Sequence, residues 1–289
     1  PAGHIAHRIL VPFELPDHEP APDAVVEALG EMDVVVLGHF GLPEQTPAAA
    51  ARDQFEAEAR AELDEISEHL RAAGASVTTR LVFGKKRAKT IDRIAVEEGC
   101  DVVLTPGEVE SVERVLVPIR GEDALDVVLP FVAELVAATG ASVTLFHAET
   151  ESDRRPGAEI LDDATDHLVE DGVARDRIDR LLVEGGDPKS AIVEAGETFD
   201  VMVLGESEPS LRERVFGALP SAVTSETNDP TFVVRDAWAP PVGPVAGVVS
   251  GPADPAAVVT ESERIHRALT SVRVRWNAIW SGDSGCTPR

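Results

Sequence analysis

The chain is short of several things, and each shortage closes off a class of function. It has two cysteines, Cys100 and Cys286, too few for a disulfide framework or a cysteine-based zinc site. Cys100 stands just before an apolar run and reads as a plain buried or half-buried thiol. There is no stretch of about 18 apolar residues, so neither a membrane span nor membrane insertion by this chain is expected. No signal-peptide pattern is present. Lysine is scarce, limited to Lys85, Lys86, Lys89 and Lys189. Binding to a phosphate backbone needs a basic stripe, so nucleic acid is not an expected partner. The sequence has no G-x-S-x-G elbow and no GxxxxGK[ST] loop. No histidine pair has metal-ligand spacing except His4 and His7, set aside as belonging to a frayed terminus. Asp17-His18-Glu19 is at most an adventitious metal contact, so no metal site is expected. In so acidic a chain chance supplies many carboxylate pairs, and no catalytic residue is singled out.

What the chain has in excess is acid. There are 52 acidic against 26 basic residues, a formal net charge of -26. Self-repulsion of that size destabilises a compact state unless salt screens it. A halophilic, high-salt cytoplasm accounts for the balance, and a cytoplasmic location is expected. The hydrophobic fraction of 43% is enough for ordinary cores, and 289 residues suggest two domains.

A repeat organises the chain. "HRILVPFEL" at 7–15 returns as "ERVLVPIRG" at 113–121. "VTTRLVFGKKRAKTIDRIAVEEG" at 77–99 returns as "IDRLLVEGGDPKSAIVEAGETF" at 178–199. "GCDVVLTPG" at 99–107 returns as "TFDVMVLGES" at 198–207. An offset of about 100 residues is a whole domain rather than a solenoid unit. In the first copy, residues 9–13, 33–40, 77–83 and 101–105 read as buried parallel strands. A long helix is expected over 47–73, with Phe55, Ala59, Leu63, Ile66 and Leu70 on one face and Gly74 as its stop. A second helix is expected over 88–98, turning Ile91, Ile94 and Ala95 inward. The second copy predicts strands near 115–119, 142–148, 178–184 and 201–205, and helices near 123–138, 157–171 and 187–197. Asp187-Pro188 supplies the last of these with a cap and a first-turn proline. A further helix near 211–226 and a final strand at 230–235 complete the second copy. The first copy has room for neither, because only "PGEVESVE" follows Thr105. Alternating strands and helices imply a parallel sheet covered on both faces. Residues 240–257 read as a flexible linker. Residues 260–276 have the spacing for one short helix.

The two copies resemble the universal stress protein family. The resemblance rests on "ILVP" at Ile9 to Pro12, its counterpart at Val115 to Pro118, the long second helix, "GGDPKSAIVEAG", "DVMVLG", "FGALPSAV" and "PTFVVR". It covers about residues 7–236. It implies an α/β fold of two tandem Rossmann-like, adenine nucleotide alpha hydrolase-like domains. The first spans 1–110 and is truncated; the second spans 111–237; a flexible or partly helical tail occupies 238–289. Some members of the family bind ATP and others act through association. ATP-binding members carry an acidic residue at the end of strand one and, after strand four, glycines followed by a hydroxyl residue. Glycines let backbone N–H groups reach phosphate, and a helix start favours the anion.

The pattern is incomplete here. Gly205 and Gly217 match, Ser207 stands where the middle glycine belongs, and Ala218 replaces the hydroxyl residue, with Ser221 one turn on. Glu206 and Glu208 place negative charge beside the phosphate position, an opposition of about 1–3 kcal/mol. The acidic position of strand one is Arg120 in the second copy and Glu14 in the first. The resemblance therefore implies a weak nucleotide site at most, around Pro118, Ile119, Arg120, Gly205, Ser207, Gly217 and Ser221. No cofactor is required; ATP or AMP with Mg²⁺ is the candidate. Lys85, Lys86, Arg87 and Lys89 form a basic cluster that suits an anionic ligand or a partner's acidic face, or else a solvated loop. His39 and His147 end the two second strands and read as structural. Strand 230–235 lacks a partner in the first copy and is expected to pair with a second chain, giving a dimer. The expected function is a non-catalytic stress-response or regulatory binding module. The rivals are an ATP-binding switch or slow ATPase, the cytosolic regulatory part of a membrane transporter and, more weakly, an electron-transfer or synthetase domain of similar topology.

Overall fold

The computed structural model describes residues 7–235 apart from 17, 44, 106, 120–124, 151–152, 186 and 206–229. The first repeat runs β1 (Arg8–Leu15), α1 (Asp23–Ala28), β2 (Asp33–Gly41), α2 (Ala48–Ala72), β3 (Ser76–Gly84), α3 (Arg87–Glu98) and β4 (Val102–Thr105). The second runs β5 (Arg114–Pro118), α4 (Leu125–Thr139), β6 (Ser142–Glu149), α5 (Gly157–Glu170), β7 (Ile178–Glu184), α6 (Pro188–Gly196), β8 (Val201–Gly205) and β9 (Thr231–Val234). The fold is the expected α/β arrangement.

The central strands are apolar on both faces because helices cover both faces. Val34, Val35, Val36 and Leu37 of β2 are all fully buried. Helix α2 buries Ala59, Leu63, Ile66 and Leu70, the stripe its spacing predicts. It stops at Gly74, whose φ of 109° is open to glycine and strained for other residues. Helix α5 ends the same way at Gly172, with φ 97°. The amide of Ala75 bonds back to Leu70 O and that of Val173 to Leu168 O, so the two helix ends are copies. A second pair of copies joins the strands. Asp101 accepts from the Arg8 amide at 2.7 Å, and Asp200 accepts from the Arg114 amide at 2.8 Å. Each aspartate staples its repeat's fourth strand to the start of the first. Helix α1 has no counterpart in the expected elements; six residues are too few for a helical period to register against noise.

The nine strands form one sheet in the order β3-β2-β1-β4-β9-β8-β5-β6-β7. All neighbouring strands are parallel except β4 and β9, which run antiparallel with Val102 opposite Val234 and Thr105 opposite Thr231. The first repeat does lack a fifth strand, and β9 fills its place. This corrects the expected pairing of 230–235 with a second chain. One edge of β9 bonds to β8 and the other to β4, so neither edge is open. The two repeats share one continuous hydrophobic core. Phe131 of α4 packs on Phe232 of β9 at 5.2 Å and on His7 at 5.4 Å. Residues Pro1–Ala239 form one compact unit, and the boundary expected near residue 110 falls within it. The second unit, Pro240–Arg289, lies wholly outside the described residues, as does the helix expected over 211–226.

Candidate functional site

In open α/β sheets ligands bind beyond the carboxyl ends of the strands, where the strand order reverses. There are two such points here. Strand β1 stays paired with β2 from Arg8 to Leu15 but meets β4 only at Ile9–Val102 and Leu10–Val103. Strand β5 meets β8 only at Val115–Val201 and Leu116–Met202. Beyond those rungs each pair parts, and a crevice opens at its carboxyl edge. Because β4 and β9 are antiparallel, the two crevices face opposite edges of the sheet.

In the second repeat Pro118 closes β5 and is half-buried. Ile119 is buried; its amide donates to Phe146 O at 2.7 Å, and its carbonyl meets Nδ1 of His147 at 2.7 Å. Gly205 ends β8 opposite Val234 of β9. These three expected residues are thus brought to one crevice. Arg120, Ser207, Gly217 and Ser221 lie outside the described residues, as do Glu206 and Glu208. His147 is fully buried and fixes the rim. The Ile119 carbonyl takes the proton on Nδ1, and Nε2 stands 3.3 Å from an Asp153 carboxylate oxygen. Burial tends to raise the Asp153 carboxyl, but bonds from Thr150 and the nearby His147 outweigh it and hold the group below its ordinary range. Gly157 lets helix α5 approach: a Cβ there would meet His147 Cδ2 at 2.6 Å. Sequence reading named His147 and Ile119 separately and missed Asp153. A carboxylate six residues past the histidine gives no periodic signal.

In the first repeat Glu14, on the last turn of β1, meets two partners. His39 Nδ1 stands 3.6 Å from one carboxylate oxygen and Arg87 Nε 3.0 Å from the other. Arg87 also donates to Pro12 O at 3.2 Å. The His39 ring beside it, with the charge of Arg87, holds the Glu14 carboxyl below its ordinary range despite partial burial. Arg87 therefore belongs to this crevice rather than to a solvated loop. His7, set aside as frayed, is also corrected. Its Nδ1 lies 2.6 Å from Glu134 on α4, so the start of the first repeat is tied to the second. His18 instead bonds Glu62 at 2.5 Å, and no cluster that could hold a metal occurs among the described residues. A cavity of about 570 Å³ between Pro22, Glu110 and Asp200 lies at the amino end of β8, on the sheet edge opposite the second repeat's crevice.

Neither a family model nor a curated protein matches the sequence. Solved structures do. A universal stress protein from Archaeoglobus fulgidus DSM 4304 superimposes with a TM-score of 0.54 at 18% identity, over 79% of this chain and 96% of that one. The fold is that of the universal stress proteins. A universal stress protein from Archaeoglobus fulgidus in complex with dAMP covers 42% of this chain and 97% of its own at 21% identity, TM-score 0.32. The cytoplasmic domain of a prokaryotic cation chloride cotransporter covers 80% and 96% at 10% identity, TM-score 0.44. No helix among the described residues is long and apolar enough to cross a membrane.

Proposed function

We propose that the chain is a non-catalytic regulatory binding protein of the universal stress family, with a weakened adenine-nucleotide crevice in its second repeat. The observation that carries this reading is the parting of β5 from β8 after two rungs, which leaves Pro118, Ile119 and Gly205 around one opening at the carboxyl edge. Gly205 at the end of β8 allows a phosphate to approach the backbone. Against that, the sequence puts Glu206 and Glu208 next along the chain. The physical result is affinity lowered by charge repulsion, which salt or Mg²⁺ relieves in part. The Glu14–Arg87 pair engages the one carboxylate that strand one of the first repeat offers, so the second repeat is the better nucleotide site.

Calorimetry of the full chain with AMP and with ATP plus Mg²⁺ in molar KCl tests this. Binding in the high-micromolar to millimolar range, with no phosphate release, is expected. Binding at about 1 μM, or steady turnover of ATP, would replace the reading with that of a switch or an ATPase.

A further inference from the structure

The amino ends of the two third helices are built from aligned residues and finished differently. In the second repeat Asp187 caps α6: its carboxylate accepts from the Ser190 amide at 3.0 Å and from the Ser190 hydroxyl at 2.8 Å, and Pro188 opens the first turn. In the first repeat the aligned residues are Lys86 and Arg87, and no side chain caps α3. A helix start carries unsatisfied N–H groups and a partial positive charge. Here that charge is left in place, and Lys85, Lys86 and Lys89, all exposed, add to it. The cap has been exchanged for cations.

A second observation lies beneath this turn. His39 is 2% exposed, and its Nε2 has no hydrogen-bond partner. It faces Gly84 and the first turn of α3: a Cβ on Gly84 would sit 3.4 Å from both His39 Nε2 and Thr90 Oγ1. Glycine keeps a carbon out of that gap, and polar atoms line it. The matching His147 bonds Ile119 O through Nδ1 and has an Asp153 carboxylate oxygen 3.3 Å from Nε2, too poorly aligned for a hydrogen bond.

We propose that the amino end of α3 is an oxyanion site for a phosphoryl or sulfate group, formed by the uncapped first turn, Lys86 and His39 Nε2. The groups facing His39 are the Glu14 carboxylate from β1 and, across that carboxylate, the Arg87 guanidinium from α3. A protonated Nε2 donates to such an anion. The site is separate from the crevice of the second repeat and stands independently of the nucleotide reading.

Backbone amide shifts of the full chain, followed by NMR at fixed KCl, test the proposal with inorganic phosphate, sulfate and AMP in separate titrations. Saturable shifts are expected at Arg87, Ala88 and Lys89. Lys86→Asp, an exposed change that restores the cap of the other repeat, should weaken sulfate at least tenfold while the fold persists. His39→Ala should weaken sulfate at least threefold. Phosphate and AMP shifting the same amides would mark the phosphoryl group itself as the ligand. AMP alone shifting them would mark a nucleotide phosphate. Shifts at Gly205 with none at the α3 start, or undiminished binding in Lys86→Asp, would overturn the site.

Discussion

Single residues here differ mainly in what their charge or thiol faces. Cys100 sits under α3, 5% exposed, and burial pushes its thiol up to about 12. A thiol so placed is almost wholly protonated at neutral pH and a poor nucleophile. In a Cys286→Ser variant, a thiol reagent at pH 8 should leave the folded protein unlabelled and label it only with denaturant. Glu14 shows the opposite shift. Its carboxyl titrates lower in the fold than in the unfolded chain, so its stabilisation is present above the unfolded value of 4.5 and fades as pH falls through the folded one. Its side chain is 54% exposed, which limits the effect to under about 1 kcal/mol. Melting curves of Glu14→Gln should lie below those of the parent at pH 7 and approach them as the pH falls below 4.5. Neither the triad of Glu14, His39 and Arg87 nor the His147–Asp153 pair was legible in the sequence. Glu14, His39 and Arg87 each stand out alone, but they meet across two strands and a helix start, and register leaves no local mark. The residues of the second crevice were legible as far as Pro118, Ile119 and Gly205, because each closes a strand whose apolar run ends there.

At the scale of elements the sequence was far more explicit. Apolar runs gave β2 and β8 to within a residue, since a strand buried on both faces carries few polar side chains; the edge strand β7 matched its expected span although it carries Asp179, Arg180 and Glu184. The α2 stripe and its glycine stop were equally plain. Those stops allow a discriminating test. Gly74 and Gly172 share a left-handed backbone, but a Cβ on Gly74 would stand 2.4 Å from Gly30 O, whereas Gly172 has open space. Gly172→Ala should cost about 1 kcal/mol for the backbone alone. Gly74→Ala should cost clearly more, read from chemical denaturation of both variants. Helix α1 and the strand partner of β9 escaped, the first for brevity and the second because strand order is a property of the assembled sheet.

At the largest scale the described residues form one sheet with a shared strand. Phe232 of β9 is 1% exposed and packs on Phe131. Phe232→Ala should cost about 3–5 kcal/mol, and because both repeats lean on β9, calorimetry should show one transition moved down rather than one repeat melting early. A fragment ending at residue 110 should give a far-ultraviolet spectrum of a largely unfolded chain. The net charge of -26 belongs to this scale too. Charge repulsion is screened within about 3 Å at 1 M salt, so the melting temperature should climb with KCl well into the molar range.

The sharing of β9 also sets an order of events at the ribosome. The first repeat is fully translated by Thr105, yet the strand that closes it is Thr231–Val234, more than a hundred residues downstream. At cellular elongation rates the nascent half waits for roughly ten seconds. Throughout that interval the open edge of β4 leaves amides and carbonyls bare, which makes early synthesis the moment when a chaperone matters most.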